Sequence, residues 1–257
     1  MLITLISGMT VLAATASEPP PLAVRIPCYQ VLRRDEHEAV HPAVATFLTQ
    51  LDDALARIDR REPQQGEPWV RYRDAALDTS DDFERETLLR TARDQYARGH
   101  LGIAFEIDPP TAAASAHHHA HIVMCEVDTS NLGFLHSRLE DAGYPFQLTG
   151  IAREAFNVLL LHADAGPDIQ LMALNAIEPE IETDPVLRRD FLRIHRRWTN
   201  NTGGPGYFGE RGECAPDGQF HLYGDADSAT LNERRTRAGM ASLSDYAAAM
   251  SHNCAQP

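Results

Sequence analysis

The chain has 257 residues, of which 43% are hydrophobic and 23% are charged, a balance typical of a globular protein that buries a core. Aspartate and glutamate number 37 against 23 basic residues, which gives a net charge of −14. Such a surface repels phosphate backbones and anionic lipid, so the composition argues against nucleic acid and membrane surfaces as partners. Every basic residue is an arginine, which excludes a Schiff-base lysine, a phosphate-loop lysine and a Ser–Lys dyad.

The first 16 residues form an apolar, uncharged segment that ends in Ala14-Thr15-Ala16. A small-x-small pattern after an apolar stretch is what a signal peptidase cleaves. Residues 1–16 are therefore predicted to be a signal peptide, and the protein to be periplasmic or secreted in a bacterium. No later segment approaches about 20 apolar residues, so we expect no membrane span after signal removal.

Residues 17–41 are proline-rich and then charged, and are predicted to form a leader before a helical domain over 42–257. A first helix is expected from Pro42, where apolar residues recur at spacings of three and four up to Ile58. A second is expected from Thr79-Ser80 to a stop at Gly99. Residues 108–121, which read DPPTAAASAHHHAH, are predicted to be an inserted loop.

A third helix is expected to begin at Asp128 or Thr129 and to stop at Gly143. Further helices are predicted over 151–163, from Pro167, and from the strong start signal Asp184-Pro185. The glycine-rich segment at about 200–227 is expected to be irregular, with a short hairpin as its candidate β structure. Two short helices, one ending near Gly239 and one over 244–250, complete the chain.

These elements predict a mainly α fold, a single domain of packed antiparallel helices. The residues expected in its core are the apolar stripe positions Phe47, Leu51, Leu135, Leu159, Leu187, Phe191 and Ile194. The four cysteines contain no C-x-x-C pair, so in an exported chain they predict two disulfides with three possible connectivities. Cys214–Cys254 is preferred because it would pin two weak regions, and Cys28–Cys125 follows by elimination.

Several segments between about residues 86 and 250 resemble a bacterial family, domain of unknown function 6624. The resemblance is carried by ARDQYAR (92–98), VDTSNLGFLHSRLEDAGYP (127–145), VLLLHAD (158–164), Gln170, GYFGE (206–210) and LNERRTRAGMASLSDYAAAM (231–250). Where family members tend to have Gln-His-Ala-Asp, this chain has leucine at position 161, and where they have Gly-Trp-Pro it has tyrosine at 144. The resemblance implies a domain and candidate positions, and no reaction.

The candidate site is built on His162 and Asp164, which follow an apolar helix. The sequence nominates His162, Asp164 and Asp128 as catalytic residues, and nominates Asp94, Arg98 and Asn131, which would arrive from other helices, as substrate-binding residues. A histidine with a carboxylate partner is suited to acid–base catalysis, and an arginine to holding an anionic group.

Each of these residues also has a structural interpretation. His162 at a helix C-terminus would interact with the helix dipole and the last carbonyls, and Asp164 would hold the turn at Gly166-Pro167. Asp94 and Arg98, four residues apart with Gln95 between them, have the spacing of an ion pair on a solvated helix face.

The string His117-His118-His119-Ala120-His121 could bind a transition metal, but its composition favours an exposed, dispensable loop. The sequence contains no phosphate loop and no zinc-cysteine pattern, so it predicts neither a cofactor nor a metal. Two functions remain. One is an exported hydrolase that uses acid–base chemistry around His162 and Asp164. The other is a non-catalytic envelope module that binds a small molecule or an envelope protein.

Overall fold

The computed structural model describes residues 41–60, 69–223 and 228–254. The predicted signal peptide, Cys28 and nearly all of the predicted leader lie outside these residues. The described chain is mainly α, as predicted, and its nine helices and one hairpin are α1 (Pro42–Asp59), α2 (Val70–Asp78), α3 (Asp82–Ile103), α4 (Pro110–Ala142), α5 (Gly150–Leu161), α6 (Pro167–Ile177), α7 (Pro185–Thr202), β1 (Gly212–Cys214), β2 (Phe220–Leu222), α8 (Ser228–Arg237) and α9 (Leu243–Cys254).

Helix boundaries follow local capping chemistry. The Asp184 carboxylate accepts the backbone N–H groups of Val186 and Leu187 at the start of α7, as expected for an Asp-Pro start. At the start of α3, the capping residue is Asp81, whose side chain accepts the N–H of Glu84. Gly143 ends α4 with a φ of 68°, a conformation that glycine adopts without a steric penalty.

The largest departure from the prediction is α4. Residues 110–121 form the first turns of a 33-residue helix, so the predicted loop over 108–121 is wrong, and the third helix does not begin at Asp128. Alanine has the highest helix propensity, and four alanines of this stretch are buried against the neighbouring helices: Ala112, Ala113, Ala116 and Ala120. The four histidines are partly buried, so the prediction that this stretch is exposed is also wrong.

Two further boundaries differ from the prediction. The short helix α2 was not expected from the sequence, in which its nine residues include four charged side chains. Helix α3 does not stop at Gly99 but continues to Ile103. The cost of a helical glycine is about 1 kcal/mol, and contacts beyond it offset this cost: His100 packs on Tyr96 with ring centroids 4.0 Å apart, and Ala104 is fully buried.

The core contains two clusters of buried residues. One joins α1, α2 and α3 with the first half of α4, and the other joins the second half of α4 with α5, α6 and α7. At 1.5 Å per residue, α4 extends for about 50 Å and contributes to both clusters. All seven residues predicted for the core are buried.

The predicted hairpin and one predicted disulfide are confirmed. Strands β1 and β2 pair antiparallel, with Cys214 opposite Phe220. Cys214 forms a disulfide with Cys254, which ties the hairpin to the last turn of α9. Cys125 is also disulfide-bonded, while its predicted partner lies outside the described residues.

Within the described ranges, none of the helices combines the length and the apolar character that a membrane crossing requires.

Candidate functional site

A buried carboxylate, Asp94 of α3, is the centre of the polar cluster. Its side chain is 0% exposed. Three donors surround it: Nδ1 of His162 lies 2.7 Å from Oδ2, Nε2 of Gln95 lies 2.8 Å from Oδ2, and Nε of Arg98 lies 3.1 Å from Oδ1. A buried carboxylate needs such donors to remain charged. Of the two interpretations of Asp94, the solvated helix face therefore does not apply.

Arg98 connects α3 to α4. Its Nη2 donates to Oδ1 of Asp128 over 2.6 Å, and its Nη1 lies 3.3 Å from Sδ of Met124. Asp128 was expected at the start of a helix, but it reaches this position from the middle of α4. The guanidinium is 24% exposed and the Asp128 side chain 19%, so the cluster lies at the edge of the protein interior.

His162 is the C-cap residue of α5, as one of its two interpretations predicted, and its ring also joins the Asp94 cluster. Nδ1 lies 2.9 Å from Arg98 Nε as well as 2.7 Å from Asp94. The Nε–H of Arg98 can donate to Nδ1 or to Oδ1 of Asp94, whereas a ring without a proton on Nδ1 would set its lone pair against the Asp94 carboxylate. We therefore infer that Nδ1 carries a proton that points at Asp94. This tautomer leaves the lone pair of the neutral ring on Nε2, which makes no hydrogen bond within the described residues. The His162 side chain is 24% exposed.

The two carboxylates of the cluster differ in their affinity for protons. Burial raises the pKa of Asp94, but the hydrogen bond from His162 and the charges of His162 and Arg98 outweigh burial and hold that pKa below its usual value of 3.8. For Asp128, burial dominates and the charge of Asp94 adds to it, so its pKa rises to about 6 despite the opposing effect of Arg98. A pair of groups with pKa values shifted in opposite directions is typical of acid–base sites.

Asp164, nominated with His162, lies outside this cluster. Its carboxylate accepts Nε of Arg197 over 2.7 Å, pairs with Nη2 of the same guanidinium, and accepts Nδ2 of Asn201 over 2.8 Å. Burial raises the pKa of Asp164, but these hydrogen bonds outweigh burial and hold the pKa below its usual value. The contacts join the turn after α5 to α7, which is a structural role different from the expected one of holding the turn at Gly166-Pro167.

Asn131, nominated for substrate binding, also lies elsewhere. It is 5% exposed, and its Oδ1 is 3.5 Å from Nη1 of Arg90. Together these residues line a cleft of about 610 Å³ between α1, α3 and α4. The residues lining this cleft are Asp52, Leu55, Ala56, Asp59, Glu86, Leu89, Arg90, Arg93, Val123, Glu126, Val127, Ser130 and Asn131. None of them belongs to the Asp94 cluster.

The structure thus brings together four of the six nominated residues: Asp94, Arg98, Asp128 and His162. The sequence did not indicate Met124, Arg197 or Asn201. Gln95 was noted only as part of a polar face. The spacing of Met124 and Asp128, four residues apart, would have suggested a shared face once α4 was recognised as continuous.

Within the described part of the chain, no group of three or more His, Cys, Asp or Glu side chains is arranged to hold a metal ion.

Comparison with known proteins finds no matching family model, no similar curated protein and no similar solved structure. The resemblance to the domain of unknown function 6624 therefore remains a prediction from the quoted segments.

Proposed function

We propose that the protein is an exported hydrolase in which His162 is the proton-transfer group. The observation that carries this proposal is the contact between the fully buried Asp94 carboxylate and Nδ1 of a partly exposed imidazole. A carboxylate in this position fixes the tautomer and the orientation of the ring and stabilises its protonated form. It presents Nε2 as the basic atom. Asp94 is thus a positioning residue, rather than the substrate-binding residue that the sequence nominated.

Water is the reactant that a lone imidazole can activate without a nucleophilic side chain. In the proposed step, Nε2 of His162 removes a proton from a water molecule while the water oxygen forms a bond to a carbonyl or phosphoryl centre. The bond between this centre and the leaving group breaks, and the leaving group keeps the electron pair and takes a proton from the carboxylic acid of Asp128, whose pKa of about 6 keeps a fraction protonated near neutral pH. Solvent exchange then returns the proton from His162 to Asp128.

Arg98 would stabilise the negative charge that develops on the reacting oxygen. Asp94, Asp128 and Met124 engage three of its N–H groups, and a guanidinium has five. The remaining N–H groups are on Nη1 and Nη2, which can donate to an anionic substrate. The two aspartates also fix the guanidinium, so little reorganisation is needed when charge develops.

Export is supported by the uncharged apolar N-terminal segment and by the Cys214–Cys254 disulfide, since disulfides persist mainly in oxidising compartments. Edman sequencing of the protein recovered outside the cytoplasm tests this part of the proposal. We expect the first residue to be Ser17, and recovery of intact Met1 from the cytoplasm alone would contradict export.

The hydrolase assignment can be tested with three chromogenic probes, p-nitrophenyl acetate, p-nitrophenyl phosphate and bis-p-nitrophenyl phosphate. Replacement of His162 by Gln should reduce turnover of the accepted probe by about 100-fold or more, the usual contribution of a general base. His136→Gln is the matched control, because His136 is a half-exposed histidine on α4. Equal loss in both variants, or no wild-type turnover of any probe above free imidazole, would contradict the assignment.

The alternative, a non-catalytic binding module, is favoured by the cleft that contains Asn131. The buried Nδ2 of Asn131 has no hydrogen-bond partner among the residues that the structure describes, and an unpaired buried amide is costly unless a ligand or water satisfies it. If this cleft is the functional site, replacing Val127 by Trp should abolish ligand capture, and the wild type itself should not hydrolyse the probes. The hydrolase proposal predicts instead that the wild type hydrolyses a probe and that this variant keeps its turnover.

A further inference from the structure

Two histidines of the string on α4 lie side by side. His117 and His121 are one helical turn apart, and their ring centroids are separated by 4.7 Å with an interplanar angle of 74°. Two histidines at this spacing share a helix face and can bind one metal ion, as in the helical zinc motifs. We propose that His117 and His121 bind a divalent transition metal ion of the imidazole-preferring class, Cu²⁺ most tightly, through one ring nitrogen each.

The other two histidines of the string have different surroundings. Nδ1 of His119 is bonded to the carbonyl of Ser115 over 2.8 Å. Successive residues of a helix are rotated by about 100°, so His118 and His119 lie away from the face that carries His117. Neither His117 nor His121 makes a hydrogen bond within the described residues, and both are partly buried. Their ring nitrogens therefore remain available as ligands.

Packing fixes the position of the pair. The ring of His117 lies on the ring of Phe105, with centroids 4.1 Å apart. Ala116 and Ala120, next to the two histidines, are fully buried and anchor this part of α4 in the core. Because the backbone and one ring are already ordered, metal binding would cost little conformational entropy.

The site is distinct from the Asp94 cluster. Asp128 lies seven residues after His121, which is about 10 Å along the helix. The protein would contribute two ligands, and water would complete the coordination, so a Cu²⁺ or Ni²⁺ ion is favoured over Zn²⁺ by the general order of affinities. The proposal does not depend on hydrolase activity.

The test is a calorimetric titration of the full chain, without a polyhistidine tag, with CuCl₂ and with NiCl₂. We expect His117→Gln and His121→Gln each to lower the affinity for Cu²⁺ by about 10- to 100-fold or more, since removal of a ligand should cost at least as much as the loss of a group that only orients one. The matched controls, His118→Gln and His136→Gln, should bind as the wild type does. Circular dichroism of each variant establishes that α4 is intact.

Electron paramagnetic resonance of the Cu²⁺ complex gives an independent readout in the wild type. Hyperfine splitting from imidazole nitrogens, lost in the His121→Gln variant, is expected. Retention of the site in both His117→Gln and His121→Gln would overturn the proposal. So would its loss in His118→Gln with full retention in His117→Gln.

Discussion

Replacing Asp128 by Asn should change how stability depends on pH. The folded-state pKa of Asp128 is raised to about 6 from an ordinary value of 3.8, so the native state binds this proton more tightly than the unfolded chain does. Protonation therefore stabilises the fold. This contribution is fully present below the unfolded pKa and is lost as the pH rises through about 6.

The magnitude follows from the two pKa values. Each unit of difference between the folded and unfolded pKa is worth about 1.36 kcal/mol. The difference between 3.8 and about 6 therefore stabilises the fold by about 3 kcal/mol at low pH, and about 2 kcal/mol of this is lost between pH 4.5 and pH 7.5. The Asn variant lacks this titration. Its free energy of unfolding, relative to the wild type, should rise by about 2 kcal/mol across that interval.

Urea denaturation followed by circular dichroism at several pH values measures this difference. Glu140→Gln is the control, because Glu140 lies on the same helix with its side chain 66% exposed, and its effect should vary by only a few tenths of a kcal/mol, roughly as for other surface charges. A difference in stability between wild type and Asp128→Asn that stays constant with pH would refute the raised pKa of Asp128. A wild type that gains stability relative to the variant as the pH rises would also refute it.

Three other predictions concern stability. Cys254→Ser should lower the free energy of unfolding by about 3 to 4 kcal/mol, since the disulfide closes a loop of 40 residues; a change below about 1 kcal/mol in urea denaturation would contradict this entropic contribution. Arg197→Ala should lower the free energy of unfolding by only about 1 kcal/mol or less, because the side chains of Arg197 and Asp164 are 44% and 38% exposed. Turnover of the chromogenic probes should persist in this variant. Loss of turnover would assign Asp164 to the site. Ala116→Asp should destabilise the fold by about 3 kcal/mol or more, because it places a charge without a partner in the core. Ala114→Asp, at an exposed position of the same helix, is the control and should change the melting temperature little. Equal effects of the two substitutions would mean that the start of α4 does not pack as described.

The fold could be predicted where helices carry an apolar stripe and a capping signal. Leu187, Phe191 and Ile194 repeat at helical spacing after the Asp184 cap, and α7 has this form. The first half of α4 lacks such a stripe, because its buried face is made of alanine, and low complexity was interpreted as a loop. Alanine allows helices to approach closely, and this packing is visible only in three dimensions.

The site could be predicted in its residue types but not in its grouping. The four-residue spacing of Asp94 and Arg98 is the same for a solvated ion pair and for a buried one, and only the packing of α3 against α4 and α5 decides between them. Asp164 stands two residues from His162, yet its partner is Arg197, which is 33 residues later in the chain. Sequence proximity did not reveal which carboxylate orients the histidine.

In the proposed site, Asp94 fixes His162 in the tautomer that presents Nε2 as the free basic atom. Long-range ¹H–¹⁵N correlation spectra of protein labelled with ¹⁵N-histidine, recorded at a pH where the rings are neutral, measure this directly. The His162→Gln variant identifies the His162 signals, and the half-exposed His136 serves as the internal reference. We predict that Nδ1 of His162 carries the proton and that Nε2 has the chemical shift of an unprotonated nitrogen. A His162 protonated on Nε2, with Nδ1 unprotonated, would contradict it.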